Sequence, residues 1–155
     1  MTTPNVPAPS PAAIPSPLAD WGTRALGFLV DYAPIFILNA IFFNNRGILS
    51  FTGLIGVAYI ALVGHIEGIT GQTPGKALMG TRLVNANGEV IGSGSGIGRK
   101  FLHILDSLVC GLGWLLPLVD AKRQTIADKV MTTYVVTGAE KRPFSFDLWI
   151  PPKQG

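Results

Sequence analysis

Residues 21–43 read WGTRALGFLVDYAPIFILNAIFF, an apolar run that carries Arg24 near its start and Asp31 near its middle. About 20 predominantly apolar residues suffice to span a bilayer core of roughly 30 Å. A charge at the centre of that core costs about 2.5–3.5 kcal/mol on insertion scales, so it normally faces a partner or a cavity. The two charges are seven residues apart, which at about 100° per residue puts them near one helical face. The rise between them is about 10.5 Å, too long for direct contact along one helix. Each charge therefore needs a partner on another segment, and Asp106 and Asp128 are available acids.

The totals agree with a membrane setting. Hydrophobic residues make up 48% of the 155 and charged residues 14%, against about 25% charged in ordinary soluble domains. Mean hydropathy is +0.41. The length fits one domain. A net charge of +3 and a pI near 9.2 fit cytoplasmic flanks and contact with anionic lipid. Nucleic acid is not an expected partner, because no basic patch is interleaved with aromatics. The single cysteine, Cys110, excludes an intramolecular disulfide and a cysteine-built metal site.

Residues 1–19 hold six prolines among Ala and Ser and read as a disordered, proline-rich tail, either a spacer or a ligand for a proline-binding partner. Without Lys, Arg or an apolar core, the tail is not a signal peptide. Residues 20–137 read as the membrane domain and 138–155 as a polar C-terminal tail. After the first span, Asn44-Asn45-Arg46-Gly47 reads as a short turn into a second apolar run, Ile48 to Ile66, making an antiparallel hairpin. Thr73-Pro74 reads as a helix start and Gly80 as its stop, for a two-turn helix at the membrane interface. Arg82 to Ile91 reads as two short strands around Asn87-Gly88. Gly92 to Gly96 reads as a flexible connector.

A third apolar run, Phe101 to Val119, carries His103, Asp106 and Cys110 at i, i+3 and i+7, one face of a helix. Gly111 and Gly113 interrupt it. Thr132 to Thr137 reads as a last strand. The topology cues conflict. A straight third crossing would put residues 67–100 and 120–155 on opposite sides, yet both are basic, and the positive-inside tendency wants both in the cytoplasm. The expected fold is thus an α-helical membrane protein: two spans, a third span or re-entrant segment, and a small cytoplasmic β element.

Several residues could carry chemistry. Arg24 and Asp31 form either a packing ion pair with other segments or a proton- or cation-binding carboxylate tuned by a basic neighbour. Asp106 stands one turn from His103, where the pair could relay protons or simply bond across a helix interface. His65 lies at a span end and reads as interfacial; two distant histidines give little support for zinc. Gly71-Gln72-Thr73-Pro74-Gly75-Lys76 fails as a phosphate loop: Thr70 stands where the first glycine belongs, and Ala77 where Ser or Thr would hold magnesium. No hydrolase elbow is legible, so no enzyme, cofactor or metal is expected.

The ordered set of pieces resembles the RDD family of bacterial membrane proteins. The pieces are Arg24 to Asp31, GQTPGKALMGTRLVNANGEVI at 71–91, Arg99 and Asp106, and DAKRQTIADKVMTTYVV at 120–136. The likeness covers about residues 19–137. It implies that Arg24 and Asp31 are the family's arginine and first aspartate, with Asp128 or Asp106 the second. The proline-rich start is similar to tails on actinobacterial members. Some relatives are described as sodium/proton antiporters, which implies a cation/proton transport component in the plasma membrane, multi-pass and embedded in the lipid bilayer. Three apolar segments are few for a transporter acting alone, so a homo-oligomer or larger membrane complex is expected. The other reading is a scaffold that recruits partners through its tail and basic face.

Overall fold

The computed structural model describes residue 15, residues 17–42 and residues 46–152, with backbone alone at 42 and 46–51. The first helix, α1 (Trp21–Phe42), is capped by Asp20, whose carboxylate accepts from the Thr23 backbone N–H at 2.9 Å and from its hydroxyl at 2.6 Å. The second, α2 (Arg46–Thr70), runs on past Ile66. Glu67 therefore belongs to its last turn and does not open a polar loop. Trp21–Ile41 and Thr52–Thr70 are each long and apolar enough to cross a membrane. Of the turn expected between them, Asn44 and Asn45 lie outside the described residues.

The helix α3 (Pro74–Met79) starts and stops at the expected residues. Thr73 accepts from the Lys76 N–H at 3.1 Å, proline fills the first helical position, and Gly80 closes the end at φ 67°, where L side chains are strained. It packs closely on α1, since a Cβ on Gly75 would lie 1.9 Å from the Gly27 carbonyl oxygen. The chain thus presses α3 onto α1, and Pro74, Gly75 and Ala77 are buried.

The expected hairpin at 82–91 does not form. Only its first half is a strand, β1 (Thr81–Asn85). Asn85 and Glu89 close a tight turn, and the partner of β1 is β2 (Thr133–Thr137), antiparallel, with Leu83 opposite Val135. Inward residues Leu83, Val135 and Ala19 make the small apolar core beside the sheet. Ala19 is there because the expected tail is not free to its end. The Ala19 N–H donates to the Val135 carbonyl at 2.8 Å, and the Thr137 N–H to that of Pro17 at 2.9 Å. Residues 1–14 and 16 lie outside the described residues.

The expected third run is a bent pair, α4 (Ser93–Leu108) and α5 (Leu112–Val119), meeting at 95°. Cys110 and Gly111 take φ of 55° and 75° at the bend. Gly113 lets α5 fold back, since a Cβ there would fall 2.4 Å from an Asp106 carboxylate oxygen. A capped helix, α6 (Ile126–Met131), leads into β2. Because β1 precedes the bent pair and β2 follows it, the sheet holds both of its ends on one side. A straight third crossing is incompatible with that pairing. The start of α1 and the end of α2 reach the same sheet, through Ala19 and through the Leu83 N–H donating to the Gly71 carbonyl at 2.7 Å.

The polar tail is also partly folded. Ala139 and Arg142 N–H groups donate to Gly80 and Ala77 carbonyls, and a 3-10 helix (Phe146–Trp149) buries Leu148 and sends the Trp149 indole N–H to the Tyr59 hydroxyl at 2.8 Å.

The glycine connector is a further departure, since residues 93–96 form the first turn of α4. They do so because glycine lets two backbones touch. A Cβ on Gly96 would meet the Gly64 carbonyl oxygen at 2.2 Å, and one on Gly68 would meet that of Gly92 at 2.2 Å. Nothing lies within 4 Å of the same position on Gly94. Gly96→Ala should destabilise the protein by about 1–3 kcal/mol through overpacking, whereas Gly94→Ala should be neutral or stabilising by about 0.5–1 kcal/mol. Circular-dichroism melts of the two variants in detergent check the contrast.

Candidate functional site

Asp31 is buried, and the reason is α3. Its carboxylate accepts from the Thr73 hydroxyl at 2.6 Å and from the Gly75 N–H at 2.7 Å. The Gly27–Gly75 approach brings that amide within reach. Asp31 thus ties the middle of α1 to the start of α3, and the Tyr59 hydroxyl donates to its backbone carbonyl.

Beside it runs a chain of ion pairs joining five helices, α1, α2, α3, α4 and α6. Glu67, fully buried at the end of α2, faces three cations: Lys76 at 2.7 Å, Arg99 at 3.0 Å and Lys100 at 3.3 Å. Arg99 reaches on to Asp128 at 2.5 Å, and Asp128 also binds Arg24 at 2.5 Å. Asp128 completes the capping box of α6 with Thr125. Burial alone would raise the Asp128 carboxyl, but the Arg99 and Arg24 guanidinium groups outweigh it and hold it well below the usual carboxylate range. Burial lowers the Lys76 amine from its usual value, and the nearby Glu67 offsets that only in part.

His103 and Asp106 meet on one face of α4, with Nδ1 and a carboxylate oxygen 2.7 Å apart. The other Asp106 oxygen accepts from the Ile126 N–H at 2.7 Å, and the imidazole stacks on Trp114 with ring centroids 4.6 Å apart. His65 lies apart, 2.6 Å from the Ser93 hydroxyl. Among the described residues no three His, Cys, Asp or Glu side chains converge as a metal site would require.

These groups border a cavity of about 250 Å³ between α1, α4 and α5. Arg24, Lys76, Arg99 and Lys100 line it, with Asp31 the only carboxylate on its wall among the described residues. Trp21, Phe28, Tyr32 and Trp114 add aromatic wall, His103 lies among them, and the Trp21 indole donates to the Trp114 carbonyl at 2.9 Å.

Of the residues singled out in sequence, Arg24 and Asp128 pair directly, and Asp31 and His103 share the cavity wall with Arg24. Asp106 sits behind His103, away from the cavity. Four members were missed as site residues: Glu67, Lys76, Arg99 and Lys100. The signal for Glu67 was present, since it lies three and four residues after Gly64 and Val63 on a face that α4 covers. Lys76 and Lys100 read as loop charges because nothing local shows that α3 and α4 carry them inward.

Residues 18–132 match the RDD family. The chain is 41% identical over 85 residues to the proline-rich antigen of Mycobacterium leprae, covering 54% of this chain and 34% of that protein. It is 41% identical over 83 residues to the proline-rich antigen homolog of Mycobacterium tuberculosis, covering 52% and 35%. It is also 33% identical over 64 residues to an uncharacterized Bacillus subtilis protein, YxaI, covering 41% and 42%. The chain therefore spans only about a third to two fifths of the length of these relatives. No solved structure matches.

Glu67→Gln should leave three buried cations facing a neutral amide. Breaking a buried pair of this kind costs about 3–5 kcal/mol, to be read as a lowered melting temperature in detergent. For Asp128 the folded carboxyl titrates below the unfolded one. Its contribution is complete above the ordinary value of about 3.9 and is lost as pH falls below it. In Asp128→Asn the melting temperature, lower at neutral pH, should fall less than in wild type between about pH 6 and 3.

Proposed function

The chain belongs to the RDD family of membrane proteins, and on that premise we propose that it is a small ion-transport component in which Asp31 takes up and releases a proton. The reading also makes it non-enzymatic and multi-pass, in the cell membrane, with two crossings, a re-entrant α4–α5 segment, and the sheet in the cytoplasm. The observation that carries the transport reading is the different way the buried carboxylates are held. Glu67 and Asp128 are locked in contact ion pairs. Asp31, on the cavity wall, is held by a hydroxyl and an amide, so it can change charge without stranding a paired cation.

Among the described residues Asp31 is the one carboxylate on the wall, too few oxygen ligands for a bare metal cation, which favours a proton as the species that reaches it. The basic side chains around the same cavity argue against nucleic acid, since Arg24, Lys76, Arg99 and Lys100 face inward and not towards solvent. The bilayer is the first partner. Two crossings are few for a pathway, so the proposed working form is a homo-oligomer or a larger membrane complex. The scaffold reading rests on a tail that lies mainly outside the described residues, and it gains no support from the geometry.

The test is internal pH in proteoliposomes of the purified full chain, after pulses of Na⁺, Li⁺ and K⁺ and under an imposed potassium diffusion potential. Wild type should show a pH change that Asp31→Asn loses while keeping its elution profile and a cooperative melt. A flat wild-type response, or an Asp31→Asn response equal to wild type, overturns proton handling at Asp31. Loss of cellular function on deleting residues 1–14 would then favour the scaffold.

A further inference from the structure

We propose that the cavity binds the oxyanion headgroup, phosphate or carboxylate, of an amphiphile whose apolar part lies outside against α1 and α5. The first ground is where the charges stand. Arg24, Lys76, Arg99 and Lys100 are on the wall, whereas Glu67 and Asp128 sit behind them at the far ends of the ion pairs. Asp106 is further back, engaged by His103 and the Ile126 amide. Among the described residues Asp31 is the one acid an occupant would meet, and its two oxygens already accept from Thr73 and Gly75. An anion entering the cavity therefore meets donors first. Ammonium groups bring three N–H donors and guanidinium groups five, so one ion pair at each of Arg24, Lys76 and Lys100, and two at Arg99, leave donors to spare. Guanidinium forks also match phosphate and carboxylate geometry.

The second ground is size and surroundings. At about 250 Å³ the space falls below the roughly 300 Å³ at which drug-sized pockets begin. It suits a headgroup and little more. Anything larger has to continue outward, and the helices that wall the cavity expose apolar side chains: Leu26 and Leu29 on α1 are 54% and 55% exposed, and Leu115 and Leu118 on α5 are 44% and 60% exposed. Trp21 and Trp114 stand at the cavity between these faces. An indole, apolar in its body and polar at its N–H, is suited to such a boundary. The chemistry can be supplied by a bilayer lipid or by a free anion.

Two of the three tryptophans line the cavity, so intrinsic fluorescence reports occupancy, and Trp149→Phe removes the third. The full chain in neutral detergent, carrying that change, is titrated with dihexanoyl phosphatidic acid, hexanoate, inorganic phosphate and dihexanoyl phosphatidylcholine. Phosphatidic acid should give a saturable change that phosphatidylcholine does not. Lys100→Gln should weaken it at least tenfold. Ala25→Leu, which fills the cavity without removing a charge, should weaken it at least as much and guards against misfolding of the lysine variant. Inorganic phosphate binding as tightly as phosphatidic acid would keep the oxyanion site but overturn the amphiphile, whereas hexanoate, a carboxylate on an apolar chain, binding as tightly would support it. No saturable response to any anion, equal binding of phosphatidylcholine, or wild-type binding by both variants overturns the site. The measurement is made at equilibrium without a gradient, so it fails or succeeds separately from proton movement at Asp31.

Discussion

One carboxylate, Glu67, holds this structure in its present arrangement. It sits in the last turn of α2 and faces Lys76 from α3 and both Arg99 and Lys100 from α4. Arg99 extends the contact to Asp128 of α6, and Asp128 extends it to Arg24 of α1. Removing any one charge from such a chain exposes its neighbours to an uncompensated field in a medium of low polarisability. The helices are therefore fixed relative to one another by a sequence of mutual requirements, and straightening the bent α4–α5 segment into a crossing would carry Gly113 off Asp106 and, with α6, Asp128 off Arg99.

That electrostatic arrangement depends in turn on close backbone contact. The α2–α4 crossing places Gly64 and Gly68 against Gly92 and Gly96, close enough for the Gly92 N–H to donate to the Gly68 carbonyl at 2.9 Å. On the other side, Gly27 and Gly75 let α3 sit on α1, so that an amide reaches Asp31. Side chains at these positions would separate the helices by more than the reach of the charged groups. Small residues at helix contacts are the usual way for membrane helices to approach closely, and here the result is a set of aligned charges.

The sequence carried the spans, the Thr73–Gly80 helix, the last strand and the requirement that Arg24 have a distant acid, because each depends on local pattern or on a cost that must be met. What it hid were contacts decided by partners far along the chain. The Arg82–Ile91 stretch has the alternation of a hairpin, but β2 competes for its first strand and wins by covering Leu83 with Val135. The 92–96 stretch reads as a linker when its glycines are taken for flexibility; against Gly64 and Gly68 they are contact surface. Glu67 follows an apolar run and so resembles its end, although the helix continues to Thr70. The conflict between the two basic regions was a real signal, and the sheet resolves it by holding both on one side.

Buried ion clusters are a poor source of net stability. Well-packed apolar groups of similar volume often do as well or better, since desolvation offsets most of the attraction. What a cluster supplies is position: charges that cannot move, at set distances, in a place where water does not mask them. In this protein the fixed members are Glu67, Asp128 and their cations. Asp31 differs, because it lies on the cavity wall and is restrained only by a hydroxyl and an amide. A cationic wall therefore stands beside one carboxylate held by a hydroxyl and an amide alone. Two kinds of restraint, contact ion pairs and neutral hydrogen bonds, meet in one space.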